Sequence, residues 1–138
     1  MAGEKGYALT TTIDQLRAPR ILIVDDDASL RLLCRVNLEL EGYRVVEAQN
    51  LAEAEDALAG ATVDLVLLDV HVGADDGLEL MRSLRKREHT AAVVLFTGSA
   101  QLDPATRAEA DGVLPKPFRL DQLFDVVRGL VRRSATGR

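Results

Sequence analysis

Leu65-Val66-Leu67-Leu68-Asp69 is a run of four apolar residues closed by an aspartate. It is too short for a helix and has no polar position to set against solvent. It therefore reads as a strand covered on both faces. Working outward, Ile21-Leu22-Ile23-Val24 is a second such run, followed at once by Asp25-Asp26-Asp27. Tyr43 to Ala48, Ala92 to Phe96 and Gly112-Val113-Leu114 read as further strands, the fourth leading into Thr97 and the fifth toward Lys116.

Helix-patterned segments lie between these runs. Leu30, Leu33, Cys34 and Leu38 form a stripe, interrupted by Asn37, that ends at Gly42. Asn50-Leu51-Ala52-Glu53 opens an Ala-rich helix in the manner of a capping box, with Gly60 as its stop signal. A third helix runs from about Gly77 to Arg87. Asp103-Pro104 couples a good N-cap with the residue best tolerated at the first helical position, so a helix starts there and must be short. The last helix spans Asp121 to Val131, with Leu120, Leu123, Phe124, Val127 and Leu130 as its apolar face. Strands that alternate with helices in this way imply an α/β fold: a five-stranded parallel sheet with helices on both faces. Right-handed crossovers favour the flavodoxin-like order 2-1-3-4-5, here with a short fourth helix.

A chain of 138 residues, 47% apolar and 28% charged, is enough for one domain with its own core. Its net charge of −5 argues against a duplex nucleic-acid surface. The clusters Arg85-Lys86-Arg87 and Arg132-Arg133 fall near helix C-termini, where the dipole favours cations. Cys34 is the single cysteine, so no internal disulfide forms, and its place on the apolar stripe makes it a core thiol. No signal peptide and no membrane-length apolar run is present, which implies a cytoplasmic protein. Residues 1–18 read as a polar leader, with one turn of helix available at Thr12 to Leu16. Residues 19–133 form the domain and 134–138 a tail.

In a sheet of this order, ligands collect outside the carboxyl ends of the strands. Those ends carry Asp25, Asp26 and Asp27, then Asp69, Thr97 and Lys116. Singly, each has an ordinary reading: Asp27 as an N-cap, Thr97 as a loop residue, Lys116 as a surface cation. Together they place several carboxylates in one cleft, and a hard divalent cation with oxygen ligands relieves such crowding. A carboxylate can also serve as a nucleophile, with a lysine and a hydroxyl to receive phosphoryl oxygens.

At this point the sequence resembles the receiver domains of two-component response regulators. The matching segments are Ile21 to Asp27, Leu65 to Asp69, Asp76-Gly77, Phe96-Thr97-Gly98 and Lys116-Pro117-Phe118, spread over most of the chain. The resemblance implies that Asp69 is the phosphoacceptor. It also implies Mg²⁺ (or Mn²⁺) held by Asp25, Asp26, Asp69 and the His71 backbone carbonyl. Thr97 and Lys116 would engage the phosphoryl group, with a cis Lys116–Pro117 bond. The side chains of His71 and Ser99 would tune dephosphorylation. The donor would be a histidine kinase or histidine phosphotransfer protein, and the recipient of the signal a downstream target protein or an effector domain outside the chain. The protein would be a signalling phosphoacceptor rather than an enzyme with a separate substrate.

Four features depart from the family pattern. Gly73 stands where proline is usual, which should loosen the loop after the acceptor. The interval from Thr97 to Lys116 is shorter by about one helical turn. Glu109 replaces a usual glycine, and Val113 occupies the switch position where an aromatic residue is common. The signal is therefore expected to leave through the segment after the fourth strand and the shortened fourth helix. Two rival readings stand beside this one. A phosphatase of the haloacid dehalogenase type would use the first-strand aspartates, but it lacks the expected Thr or Val at Ser29 and acidic ligands late in the chain. A receiver that no longer accepts phosphate would be a pure protein-interaction module.

Overall fold

The structure, a computed structural model, describes residues 18–98 and 102–136, with side chains to residue 131. The leader, Ser99 and the end of the tail lie outside the described residues, apart from Ala18 and the backbone up to residue 136. The strands are β1 (Arg20–Val24), β2 (Arg44–Ala48), β3 (Leu65–Asp69), β4 (His71–Val72), β5 (Asp75–Asp76), β6 (Ala92–Thr97) and β7 (Gly112–Pro115). The helices are α1 (Ala28–Leu40), α2 (Leu51–Gly60), α3 (Gly77–Lys86), α4 (Pro104–Glu109) and α5 (Leu120–Thr136). Five strands form a parallel sheet in the order β2-β1-β3-β6-β7, the flavodoxin-like arrangement, and β4 and β5 form a separate two-stranded hairpin.

The period-two alternation of side chains sorts the central strands into two cores. Leu22, Val24, Val66, Leu68, Val93 and Leu95 pack with Ala54 of α2 and Leu80, Met81 and Leu84 of α3. Ile21, Ile23, Leu65, Leu67, Val94 and Phe96 pack with Cys34 and Leu38 of α1 and Leu123 and Val127 of α5. Strands buried on both faces are what crossover helices require, and this explains the unbroken apolar runs.

The helix caps follow the local chemistry. Asp27 caps α1 by accepting from the amides of Ser29 and Leu30. Asn50 caps α2 by accepting from Glu53 N, while the Glu53 carboxylate reaches back to the amide of Gln49 rather than of Asn50. Gly42 follows α1 at φ +97, a left-handed conformation that glycine adopts without strain. Gly60 is the last residue of α2, and the chain leaves through extended Ala61. The last helix runs past Val131 to Thr136.

Two expectations change. Leu33 is not part of the buried stripe. It is 47% exposed, and with Leu32, Val36 and Leu40 it makes up the exposed large apolar side chains among the described residues. Cys34 and Leu38, four apart, face the core, and Leu33 is turned about 100° from Cys34, in a row with Val36 and Leu40. Gly73 does something more specific than loosen its loop. At φ +62 it forms the turn between β4 and β5, whose register pairs His71 with Asp76 and Val72 with Asp75. Proline, with φ fixed near −65°, could not take that conformation.

Candidate functional site

The acidic cleft lies where β1 and β3 end side by side. Asp25 follows β1 and is fully buried, Asp69 closes β3 and is half-buried, and Asp26 is exposed. Carboxylate oxygens of the three come within 4.8 Å of one another. Asp25 Oδ1 accepts from the Asp27 amide at 2.9 Å and Asp69 Oδ1 from the His71 amide at 3.0 Å. The second oxygen of each aspartate accepts from the Lys116 ammonium, at 2.9 Å for Asp25 and 3.1 Å for Asp69.

Lys116 reaches this position because of what surrounds its backbone. Its amide donates to the Thr97 carbonyl at 2.7 Å, continuing the β6–β7 ladder, and the Lys116–Pro117 bond is cis. Its Nζ stands 5.8 Å from the centre of the Phe96 ring, within the range of a cation–π contact. Phe118 stacks on the Phe96 ring, with ring centroids 5.3 Å apart. The Phe96–Phe118 pair was not singled out from sequence, although Lys116-Pro117-Phe118 carries its signal.

Burial raises the Asp25 carboxyl above the ordinary aspartate value, and the nearby Asp69 adds to the rise against the pull of Lys116. For Lys116 burial acts to lower the value, but the hydrogen bonds it donates to Asp25 and Asp69 outweigh it and hold the ammonium protonated. Burial pushes the Cys34 thiol up to about 12, consistent with an inert core residue.

Thr97 is buried at the end of β6, one residue beyond Phe96, which pairs in register with Asp69. The structure thus brings Asp25, Asp26, Asp69, Thr97 and Lys116 to one edge. The His71 side chain is exposed just beyond the acceptor. Val113 lies in β7 opposite Leu95, one strand away from the acceptor strand's neighbour. The Asp27 carboxylate caps α1 and is not among the three clustered carboxylates.

Gly77 has a role that sequence alone did not reveal. Its amide donates to the Val70 carbonyl at 2.8 Å, and a Cβ built on it would overlap the Asp69 carbonyl oxygen. A side chain at 77 would therefore displace the backbone of Asp69 itself.

The donor set suits Mg²⁺: three carboxylates offer oxygen atoms close together, and a half-buried ammonium already balances part of their charge. The β4–β5 hairpin flanks this cleft, tied to the start of α2 by the Leu51 amide, which donates to Asp75 at 3.3 Å.

Comparison with known proteins agrees with this geometry. Residues 21–128 match the family described as the response regulator receiver domain. The chain is 39% identical over 119 residues to response regulator MprA of Mycobacterium sp. strain KMS, covering 84% of this chain and 52% of that protein. It is 37% identical over 117 residues to transcriptional regulatory protein CpxR of Escherichia coli K12, covering 83% of this chain and 50% of CpxR. Among solved structures, response regulator protein TrrA of Thermotoga maritima, determined in complex with Mg²⁺-BeF, superposes with a TM-score of 0.74 at 33% identity. It covers 81% of this chain and 98% of that one. The chain spans about half the length of the curated relatives it matches. This protein belongs to the response regulator receiver domain family.

Proposed function

We propose that Asp69 is the phosphoacceptor of this receiver and that Asp25 and Asp26 hold Mg²⁺ (or Mn²⁺) with it, the His71 backbone carbonyl completing the protein ligands. The observation that carries the reading is the Lys116 ammonium lodged between Asp25 and Asp69 beside a third carboxylate. An Asp69 oxygen attacks the phosphorus of a phosphohistidine on a histidine kinase or phosphotransfer protein. The P–N bond breaks, and the imidazole leaves with a proton. Lys116, already at the acceptor oxygen, turns toward the incoming phosphoryl group, and Thr97 donates its hydroxyl to a second phosphoryl oxygen. Bound Mg²⁺ would supply charge neutralisation between the acceptor and the phosphoryl oxygens. His71 and Ser99 sit two residues past the acceptor and past Thr97, from where they would govern water access and hence the lifetime of the acyl phosphate.

Output is assigned to α4 and the segment before it. Val113 leaves no aromatic ring at the usual switch position, and α4 is only six residues long. The net charge of −5 supports transfer of the signal to a protein partner rather than direct contact of this domain with nucleic acid. No described helix is long and apolar enough to cross a membrane. A cytoplasmic location accords with that.

Incubation with Mg²⁺ and a small acyl phosphate, followed by mass spectrometry, should add one phosphoryl group to the wild type and none to Asp69→Asn. The absence of an adduct on the wild type would favour a receiver that acts only as an interaction module. Hydrogen exchange on the same sample should change over residues 102–112, and an unchanged profile there removes α4 from the output path.

A further inference from the structure

We propose that Arg31 is a positioning residue for the metal pocket, fixing the peptide plane between Asp25 and Asp26 so that both carboxylates converge. This inference rests on the phosphoacceptor reading above. Arg31 lies in the first turns of α1, and its Nη1 donates to the Asp25 carbonyl at 2.6 Å. Its Nε donates to the Glu47 carboxylate at 3.0 Å, and Glu47 is in turn held by Arg35 at 3.1 Å. The Arg31 side chain is only 14% exposed. A guanidinium directs its donors in a fixed plane, so with Nε anchored on β2 the Nη1 atom has little freedom to leave the carbonyl.

The carbonyl it holds is uniquely placed. Asp25 is otherwise pinned at every polar atom: its amide donates to Ala48 O at 3.1 Å, and its two carboxylate oxygens accept from Asp27 and Lys116. Asp26 is different. Its carboxylate is exposed and accepts no hydrogen bond among the described residues. Its direction is therefore set by the backbone that precedes it. The Asp25 carbonyl and the Asp26 amide belong to one planar unit, so a swing of that carbonyl turns the Asp26 side chain out of the cleft. Arg31 supplies a charge-assisted bond against such a swing.

A simpler role would be charge balance, since a guanidinium at the Asp25 carbonyl puts a positive charge near the acidic cluster. The two roles predict opposite signs. Removing a nearby cation should tighten Mg²⁺ if Arg31 only balances charge, whereas it should weaken Mg²⁺ if Arg31 sets the geometry. Arg31→Lys separates them further, because it keeps the charge and loses the planar fork.

The test is calorimetric titration of the full chain with Mg²⁺ alone, for wild type, Arg31→Met and Arg31→Lys, with metal-free thermal melts beside it. The expected result is a dissociation constant about tenfold weaker for Arg31→Met, in the range seen when a residue supporting a metal ligand is removed. Arg31→Lys should also bind more weakly than wild type, by about threefold, although its charge is unchanged. Equal or tighter binding by Arg31→Met, or wild-type affinity in Arg31→Lys, would overturn the proposal, and so would a shift in melting temperature without any change in affinity. If Arg31→Met does not fold, Arg31→Lys decides alone. Failure of the wild type itself to bind Mg²⁺ would overturn the metal-assisted phosphoacceptor reading on which the inference stands.

Discussion

The acceptor edge and the α4 side of this domain are held together by different means. At the edge, the carboxylates of Asp25 and Asp69 are bound by backbone amides two residues ahead and by one ammonium that reaches them from β7. Around α4 arginine side chains at the surface supply much of the holding: Arg82 to Glu109 at 3.4 Å, and Arg85 to Asp111 at 2.6 Å and to the Glu109 carbonyl at 3.0 Å, beside the Val93 amide that donates to Asp111. Backbone-held geometry cannot be altered without moving a strand end, whereas surface pairs can be exchanged at small cost. The carboxylate geometry is thus built into the sheet, whereas the pairs around α4 can be exchanged without disturbing it.

The sharpest way to break the comparison is at glycine positions on the two sides. Gly77→Ala would force a Cβ into the Asp69 carbonyl, a backbone atom that cannot rotate away. The expected cost is about 3 kcal/mol or more in urea unfolding, together with loss of phosphoacceptance. On the other side, a Cβ at Gly112 would meet Val126 Cγ2 at 3.1 Å, a methyl group that can shift. Gly112→Ala should cost about 1 kcal/mol and leave the acceptor active. Equal costs for the two variants would mean that the acceptor loop is no more tightly fitted than the α4 side.

A smaller effect is expected at Asp111. Its carboxylate accepts from Arg85 and also from the Val93 amide at 2.8 Å, so it ties the end of α4 to β6. Asp111→Ala should cost about 1–2 kcal/mol, most of it from the strand amide left without a partner. The ion-pair share is modest because both side chains are more than a third exposed. That share should vanish in high salt while the amide share persists. A cost that vanished entirely in salt would show the tie to be electrostatic alone.

The contrast also separates what was legible in the sequence from what was not. Runs such as Leu65 to Leu68 admit little but a doubly covered strand, so the strands and their terminal carboxylates followed from period and length, and the sheet order from right-handed crossovers. Lys116 was readable because Lys-Pro-Phe sits at a strand end. Arg31 was not, since an arginine beside an apolar stripe has the look of a solvated face, and only the fold brings it to the Asp25 carbonyl. The importance of Gly77 was hidden for a similar reason: a close backbone approach leaves no periodic signature. Leu33 was misplaced because one turn of helix carries apolar residues on two rows, and sequence alone cannot say which row meets the sheet. Gly73 read as permissive, but its positive φ depends on the β4–β5 pairing around it.

The smallest effect concerns α4 itself, and it tests whether this helix is held locally. Asp103 caps α4 by accepting from the Thr106 amide at 2.8 Å and from the Thr106 hydroxyl at 3.0 Å. The bond from the Thr106 amide, seconded by the Thr106 hydroxyl, holds the Asp103 carboxyl below its ordinary value. A carboxyl whose value is depressed in the folded state adds stability above its unfolded value and loses that contribution as the pH falls through the folded one. The cap should therefore persist at neutral pH and weaken only as the pH drops below about 4. Followed by nuclear magnetic resonance, the Thr106 amide should titrate with a midpoint below that of an ordinary aspartate. In Asp103→Asn, which keeps an accepting oxygen but has no proton to gain, that titration should be absent while the helix remains. A Thr106 midpoint at or above the ordinary value would mean that α4 is not held by its own cap. The ties from Arg82 and Arg85 would then be what keeps so short a helix in place.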